Sequence, residues 1–157
     1  MKYIVFSDIH GSLYYANKMK EIIERENADI RFLINNAGMG VIGNLEDADP
    51  KKQGAMVDLN CKALMAVTHI CLPYMNRGSK VYEFASKAAF QPVPYMSTYG
   101  ATKAFVLSFS RALNRELKSA GRKIRVMAVC PGWVLTEFFD TAVSDDTISY
   151  YNRYYTS

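Results

Sequence analysis

Three features of the sequence predict an α/β fold, a parallel sheet of about four strands flanked by helices. Short β-branched apolar runs alternate with longer stretches of helical periodicity. The runs are nearly continuously apolar, as strands buried on both faces are. Two of them stop at glycine- or proline-bearing turns, "NNAGMG" and "CPG".

The elements follow in order. "KYIVF" (residues 2–6) reads as a buried strand. Ser12 is a candidate N-cap for a helix over 13–26, where Leu13, Ala16, Met19, Ile22 and Ile23 fall at helical spacing. "DIRFLI" is the second strand. From Lys51 a long helix runs toward Tyr74, with Met56, Leu59, Ala63, Ala66, Val67, Ile70 and Cys71 on one side, and Gly78 breaks it. "KVYEFA" is the third strand, and Pro92 and Pro94 mark a loop. From about Ser97 another helix carries Ala101, Phe105, Phe109, Ala112, Leu113 and Leu117, with Gly121 as its C-cap. "KIRVMAV" is the fourth strand, and an aromatic, weakly helical tail follows Trp133.

A chain of 157 residues, half of them apolar, is expected to form one domain with one core. The net charge of +4 is spread over mixed clusters such as "KMKEIIERE", so a solvated helix face is read rather than a nucleic-acid surface. Cys61, Cys71 and Cys130 have neither disulfide nor zinc spacing and read as small buried hydrophobes in a reducing compartment. No secretory leader and no run of ~18 apolar residues is read, so the expected location is the cytoplasm, with no membrane partner.

The chemistry sits in "STYGATKAF". Tyr99 and Lys103 are four apart on the predicted helix, so their side chains share a face. An ammonium beside a phenol favours the phenolate, which makes a tyrosine usable as a general acid/base near neutral pH. Ser86 follows a predicted strand, where open α/β sheets place their ligands, and can donate to a substrate oxygen. "NNAG" and "PGWVLT" follow strands at the same end.

With these motifs in this order, the chain resembles the short-chain dehydrogenase/reductase family over roughly residues 29 to 157. The resemblance rests on "FLINNAGMG", "DLNCKALMAVTHICLPYM", "ASKAAFQPVPYMSTYGATKAFVLSFSRALNRELK" and "VMAVCPGWVLTEFF". It implies a reduced doubly wound, Rossmann-like sheet and NAD(P)-dependent oxidoreduction of a small alcohol/carbonyl pair. It also implies that Tyr99 is the acid/base, that Lys103 lowers its pKa and binds the nicotinamide ribose, and that Ser86 orients the carbonyl. Asn60 would hold the water of a proton relay. Asn35, Asn36, Ala37 and Gly38 would line NAD or NADP near the adenosine side, and Pro131, Gly132 and Thr136 would touch the nicotinamide end. The helices carrying Asn60 and Tyr99 form a subunit interface in that family, so a homo-oligomer is expected.

The first thirty residues are different. The family places a TGxxxGxG turn after its first strand, whereas this chain has "IVFSDIHGS". That stretch resembles the start of a calcineurin-like metallophosphoesterase, whose Asp-x-His pair binds one ion of a two-metal site. Asp8 and His10 match it, but the chain's other histidine is His69, in the long helix, where packing or capping is expected; no metal site is predicted. The sequence thus reads as a phosphoesterase-like start (1–30) joined to a dehydrogenase core (31–157) in one domain, a chimeric and truncated chain. Weak cofactor binding and low activity are expected, because the glycine turn supplies the backbone cradle for pyrophosphate. Two alternatives stand beside this reading: a fragment that only folds or self-associates, and a metallophosphoesterase, which two histidines cannot complete.

Overall fold

The computed structural model describes residues 13–132. The expected first strand, Asp8, His10, Ser12, Thr136 and the aromatic tail lie outside these residues.

Helix α1, Leu13–Arg25, buries Ala16, Met19 and Ile23 at helical spacing. It ends on Asn27 at φ 44°, where the Asn27 and Ala28 amides close on the Glu24 and Ile23 carbonyls at 3.0 and 3.1 Å. Asparagine tolerates this left-handed position, and the paired bonds satisfy carbonyls the helix end would otherwise orphan. Strand β1, Ile30–Asn35, follows.

The long helical run is not uniform. It comprises α2 (Pro50–Val57), a π turn (Asp58–Ala63), α3 (Leu64–Cys71) and a 3₁₀ turn (Leu72–Tyr74). Asp49 caps its start, its carboxylate accepting from the Lys51 amide at 2.9 Å. By length and composition this run could cross a bilayer. Met56, Leu59, Asn60, Ala63, Leu64, Thr68 and Cys71 are buried, however, as the inward face of a core helix is.

Gly78 does not break this helix, which ends at Tyr74. Strand β2 runs Met75–Phe84, and Gly78 sits inside it at φ 90°. The pairing register shifts there, from Ile30 opposite Met75 to Phe32 opposite Lys80. Ser79 closes this bulge: its hydroxyl donates to the Ile30 carbonyl at 2.8 Å and accepts from the Asn76 amide at 3.1 Å.

Helix α4, Ser97–Ser119, leads to β3, Arg125–Val129. The C-cap is Ala120, and Gly121 follows it at φ 69°, donating to Lys118 while Arg122 donates to Leu117. The expected apolar stripe on α4 holds in part: Leu117 is buried and Phe109 and Leu113 pack against the core, but Ala101, Phe105 and Ala112 are exposed, and Thr102, Lys103, Val106, Leu107 and Ser110 are buried instead. The buried polar side chains are each hydrogen-bonded, Thr102 to the Tyr99 carbonyl, Lys103 to the Phe84 carbonyl and Ser110 to the Val106 carbonyl.

Among the described residues the sheet has three parallel strands in the order β1-β2-β3, with Leu33, Val81 and Val126 aligned across it. Met75, Val81, Leu117, Ile124 and Val126 form one core cluster beneath α4, and α1 packs on α3 through Met19, Ile23 and Cys71. Phe32 and Ile34 alternate with Leu33 and are exposed, at 56% and 61%.

Candidate active site

Ser86, Tyr99 and Lys103 meet at the carboxyl end of β2. Ser86 lies two residues past the strand in extended backbone and caps a short 3₁₀ turn (Lys87–Ala89), its oxygen accepting from the Ala88 amide at 3.1 Å. Its hydroxyl is hydrogen-bonded to the Tyr99 phenol. One turn along α4, the Lys103 ammonium lies 5.7 Å from the centre of the Tyr99 ring and donates to the Phe84 carbonyl at 2.8 Å.

The electrostatics differ from the sequence expectation. Burial pushes the Tyr99 phenol above its usual pKa, and the Ser86 hydrogen bond offsets this only in part. The expected lowering by Lys103 is therefore not what dominates. Burial in turn draws Lys103 down to about 8, against smaller opposing effects of the Cys61 and Cys130 thiols.

Asn60 reaches this group from the π turn. Its amide nitrogen donates to the Met39 carbonyl at 2.8 Å and to the Thr102 hydroxyl at 3.0 Å, while its oxygen accepts from the Met39 amide at 2.9 Å. Both N–H groups are thus engaged within the protein. The second lone pair of Oδ1 remains for a further partner. Beside it, a Cβ on Gly38 would stand 3.3 Å from both Asn60 Oδ1 and Lys103 Nζ, so the bare glycine keeps that space open. Thr102 is the residue that the sequence reading passed over. Its position between Tyr99 and Lys103 was the available signal.

The other named residues divide. Asn35 turns inward, donating to Thr68 at 2.8 Å and to the buried Glu83 carboxyl at 2.9 Å, so its side chain supports the sheet rather than facing a ligand. Asn36, Ala37 and Gly38 are exposed on the turn after β1. Pro131 accepts from the Lys87 amide at 3.0 Å, and the Lys87 side chain lies over Gly132, whose Cβ would approach it to 3.2 Å. These two loops therefore adjoin Ser86. His69 is exposed rather than packed. Cys71 is buried, while Cys61 and Cys130 are half-buried and all three are free thiols. Among the described residues no cluster of His, Cys, Asp or Glu could hold a metal ion.

The nicotinamide half of a dinucleotide fits what is present. Lys103 is 7% exposed, and among the described residues its three donors have one hydrogen-bond acceptor, Phe84 O. Two N–H groups of a buried ammonium remain for sugar hydroxyls. The phenol and the Ser86 hydroxyl stand next to them, so one oxygen could be met from two sides.

Comparison with known proteins bears on the family and the fold. The family model described as short chain dehydrogenase matches residues 4–147, running into the N-terminal stretch set apart above. A sulfoacetaldehyde reductase of Chromohalobacter salexigens is 36% identical over 69% of this chain and 44% of its own length. A serine 3-dehydrogenase of Rhizobium radiobacter is 38% identical over 70% of this chain and 44% of its own. The structure of a 3-ketoacyl-(acyl-carrier-protein) reductase from Brucella melitensis, complexed with NADH, superposes with a TM-score of 0.74 at 27% identity, covering 85% of this chain and 57% of that one. The chain spans about half the length of the curated relatives it matches.

Proposed function

The chain belongs to the short-chain dehydrogenase/reductase family, matched over residues 4–147, and on that premise we propose that it interconverts a small alcohol and its carbonyl with NAD or NADP. The observation that carries this reading is the convergence of Tyr99, Ser86 and Lys103 at one end of the sheet. The sulfoacetaldehyde reductase and serine 3-dehydrogenase relatives, by name, act on such pairs.

When bound, the nicotinamide would supply or accept the hydride. The chain's residues handle the proton and the orientation. Ser86 donates to the carbonyl oxygen and holds it against the Tyr99 hydroxyl. Tyr99 delivers its proton to that oxygen in reduction and recovers it in oxidation. Lys103 binds the ribose hydroxyls through its spare donors, and its charge stabilises the phenolate left behind. The site thereby presents carbonyl and proton donor in a fixed geometry.

Affinity for the dinucleotide is low in this proposal. "DIHGS" offers one glycine where the family has several. Loss of a few charge-assisted hydrogen bonds at roughly 1.5–3 kcal/mol each moves a micromolar site toward the millimolar range.

Titration of the full chain with NADH and NADPH, followed by aldehyde-dependent oxidation of each, tests the proposal. Weak saturable binding with slow turnover that Tyr99→Phe abolishes is expected. Turnover unchanged in Tyr99→Phe would refute it. The alternative, a chain that folds and self-associates without catalysis, draws on the exposed Phe32 and Ile34. It predicts an assembled protein on gel filtration with no cofactor binding.

A further inference from the structure

We infer that Thr102 is a positioning residue that locks Asn60, and with it the π turn, to the helical turn carrying Tyr99 and Lys103. The inference rests on the oxidoreductase reading above, and its argument is a proton count. The Thr102 oxygen lies 2.8 Å from the Tyr99 carbonyl and 3.0 Å from Asn60 Nδ2. A carbonyl only accepts, so the single hydroxyl proton goes to Tyr99, and the oxygen must accept from Asn60. The remaining Asn60 contacts, to Met39 N and O at 2.9 and 2.8 Å, then fall into place without conflict.

Burial makes the arrangement stringent. Thr102 is 3% exposed and Asn60 1%. An amide proton released there would find no water in place of Thr102, and an unsatisfied buried donor is costly. The same residue therefore fixes two things at once. It ties α4 to the π turn 42 residues earlier in the chain, and it holds Asn60 Oδ1 facing the space at Gly38 that the Lys103 ammonium also faces. Displacement of Asn60 would alter the surroundings of Lys103 without altering any group that touches the carbonyl.

Two substitutions separate positioning from packing. Thr102→Val keeps the shape and removes the hydroxyl. Thr102→Ser keeps the hydroxyl and removes a methyl. Both are made in the full chain, with thermal melts to show that each folds. The readouts are hydrogen exchange of the Asn60 side-chain amide by NMR, and kcat and KM with NADH or NADPH and an aldehyde.

Thr102→Val is expected to speed Asn60 amide exchange at least about tenfold and to lower kcat about tenfold at nearly constant KM, equivalent to ~1.4 kcal/mol in the transition state. Thr102→Ser should restore both. Wild-type exchange in Thr102→Val would overturn the inference, as would a Thr102→Ser variant as impaired as Thr102→Val. Absence of turnover in the wild type would count against the oxidoreductase reading alone, since the Asn60 exchange still decides the role of Thr102.

Discussion

Glu83 should make the protein less stable as pH rises, and replacing it by glutamine should remove that dependence. The carboxyl is fully buried on β2. One oxygen accepts from Asn35 at 2.9 Å and the other lies 2.9 Å from the Thr68 hydroxyl. That hydroxyl also lies 2.8 Å from the Leu64 carbonyl and 2.8 Å from Asn35 Nδ2. It has one proton for two oxygens. If Glu83 is ionised, one close oxygen pair has no proton between its members. If Glu83 is protonated, it donates to Thr68, Thr68 donates to Leu64, and every contact is satisfied. Burial raises the Glu83 pKa above 4.5, and the Asn35 and Thr68 bonds offset this in part. The folded state thus holds a proton that the unfolded state has released. Stability from this group is full below about 4.5 and is lost as pH rises through the folded pKa. One proton limits the slope to about 1.4 kcal/mol per pH unit.

Glutamine reproduces the neutral acid, donating to Thr68 and accepting from Asn35. Glu83→Gln should match the wild type at acidic pH, exceed it increasingly as pH rises through the raised folded pKa of Glu83, and keep that advantage above it. Glu83→Ala strands the Asn35 and Thr68 groups and leaves a void, costing about 2–4 kcal/mol at any pH. Circular-dichroism melts of the three proteins between pH 5 and 8 read these differences, at roughly 2–4 °C per kcal/mol. A gap between Glu83→Gln and the wild type that stays constant with pH, or that closes toward pH 8, would refute the reasoning.

Lys103 gives a dependence of opposite sign. Its folded pKa of about 8 lies below the ordinary 10.5, so its contribution to stability rises from about 8 toward 10.5, while kcat/KM should fall above about 8 as the ammonium loses its proton; a pH–rate profile checks this. Asp49→Ala removes the cap on the Lys51 amide and should destabilise by about 1 kcal/mol, read as a lower urea midpoint at unchanged slope.

The parts of this molecule that depend on local signals were legible in the sequence. The turn after α4 needed a left-handed residue and Gly121 stands there; Tyr99 and Lys103 share a face because helical spacing demands it. What stayed hidden depends on distant partners. Residues 75–79 continue β2 through a bulge that Ser79 closes onto Ile30, a contact across 49 residues. Glu83 alternates with Tyr82 as a solvent-facing charge would, and only Asn35 and Thr68 disclose that it points inward. Part of the inward face of α4 is hidden for the same reason. Phe105 looks like a core residue, yet it is exposed and stacks at 5.8 Å on Phe109, which packs against the core, while Thr102, Lys103 and Ser110 lie buried beside it on the same helix.

The π turn at Asp58–Ala63 has a bearing on how this chain tolerates change. A π turn is an α-helix that has taken in one residue too many. Shortening this segment by a single amino acid would relax it to ordinary helix while leaving the turns on either side close to where they stand, because the six residues of the wider π turn rotate the chain about as far as five α-helical residues at about 100° each. Met56 would then keep its place in the cluster it shares with Ile42, Met96 and Tyr99. What the shortening removes is the bulge from which Asn60 reaches Met39 and Thr102. Point substitutions at the outward positions Asp58 and Lys62 should be absorbed, whereas a one-codon deletion between them should spare the fold and disturb the Asn60 contacts.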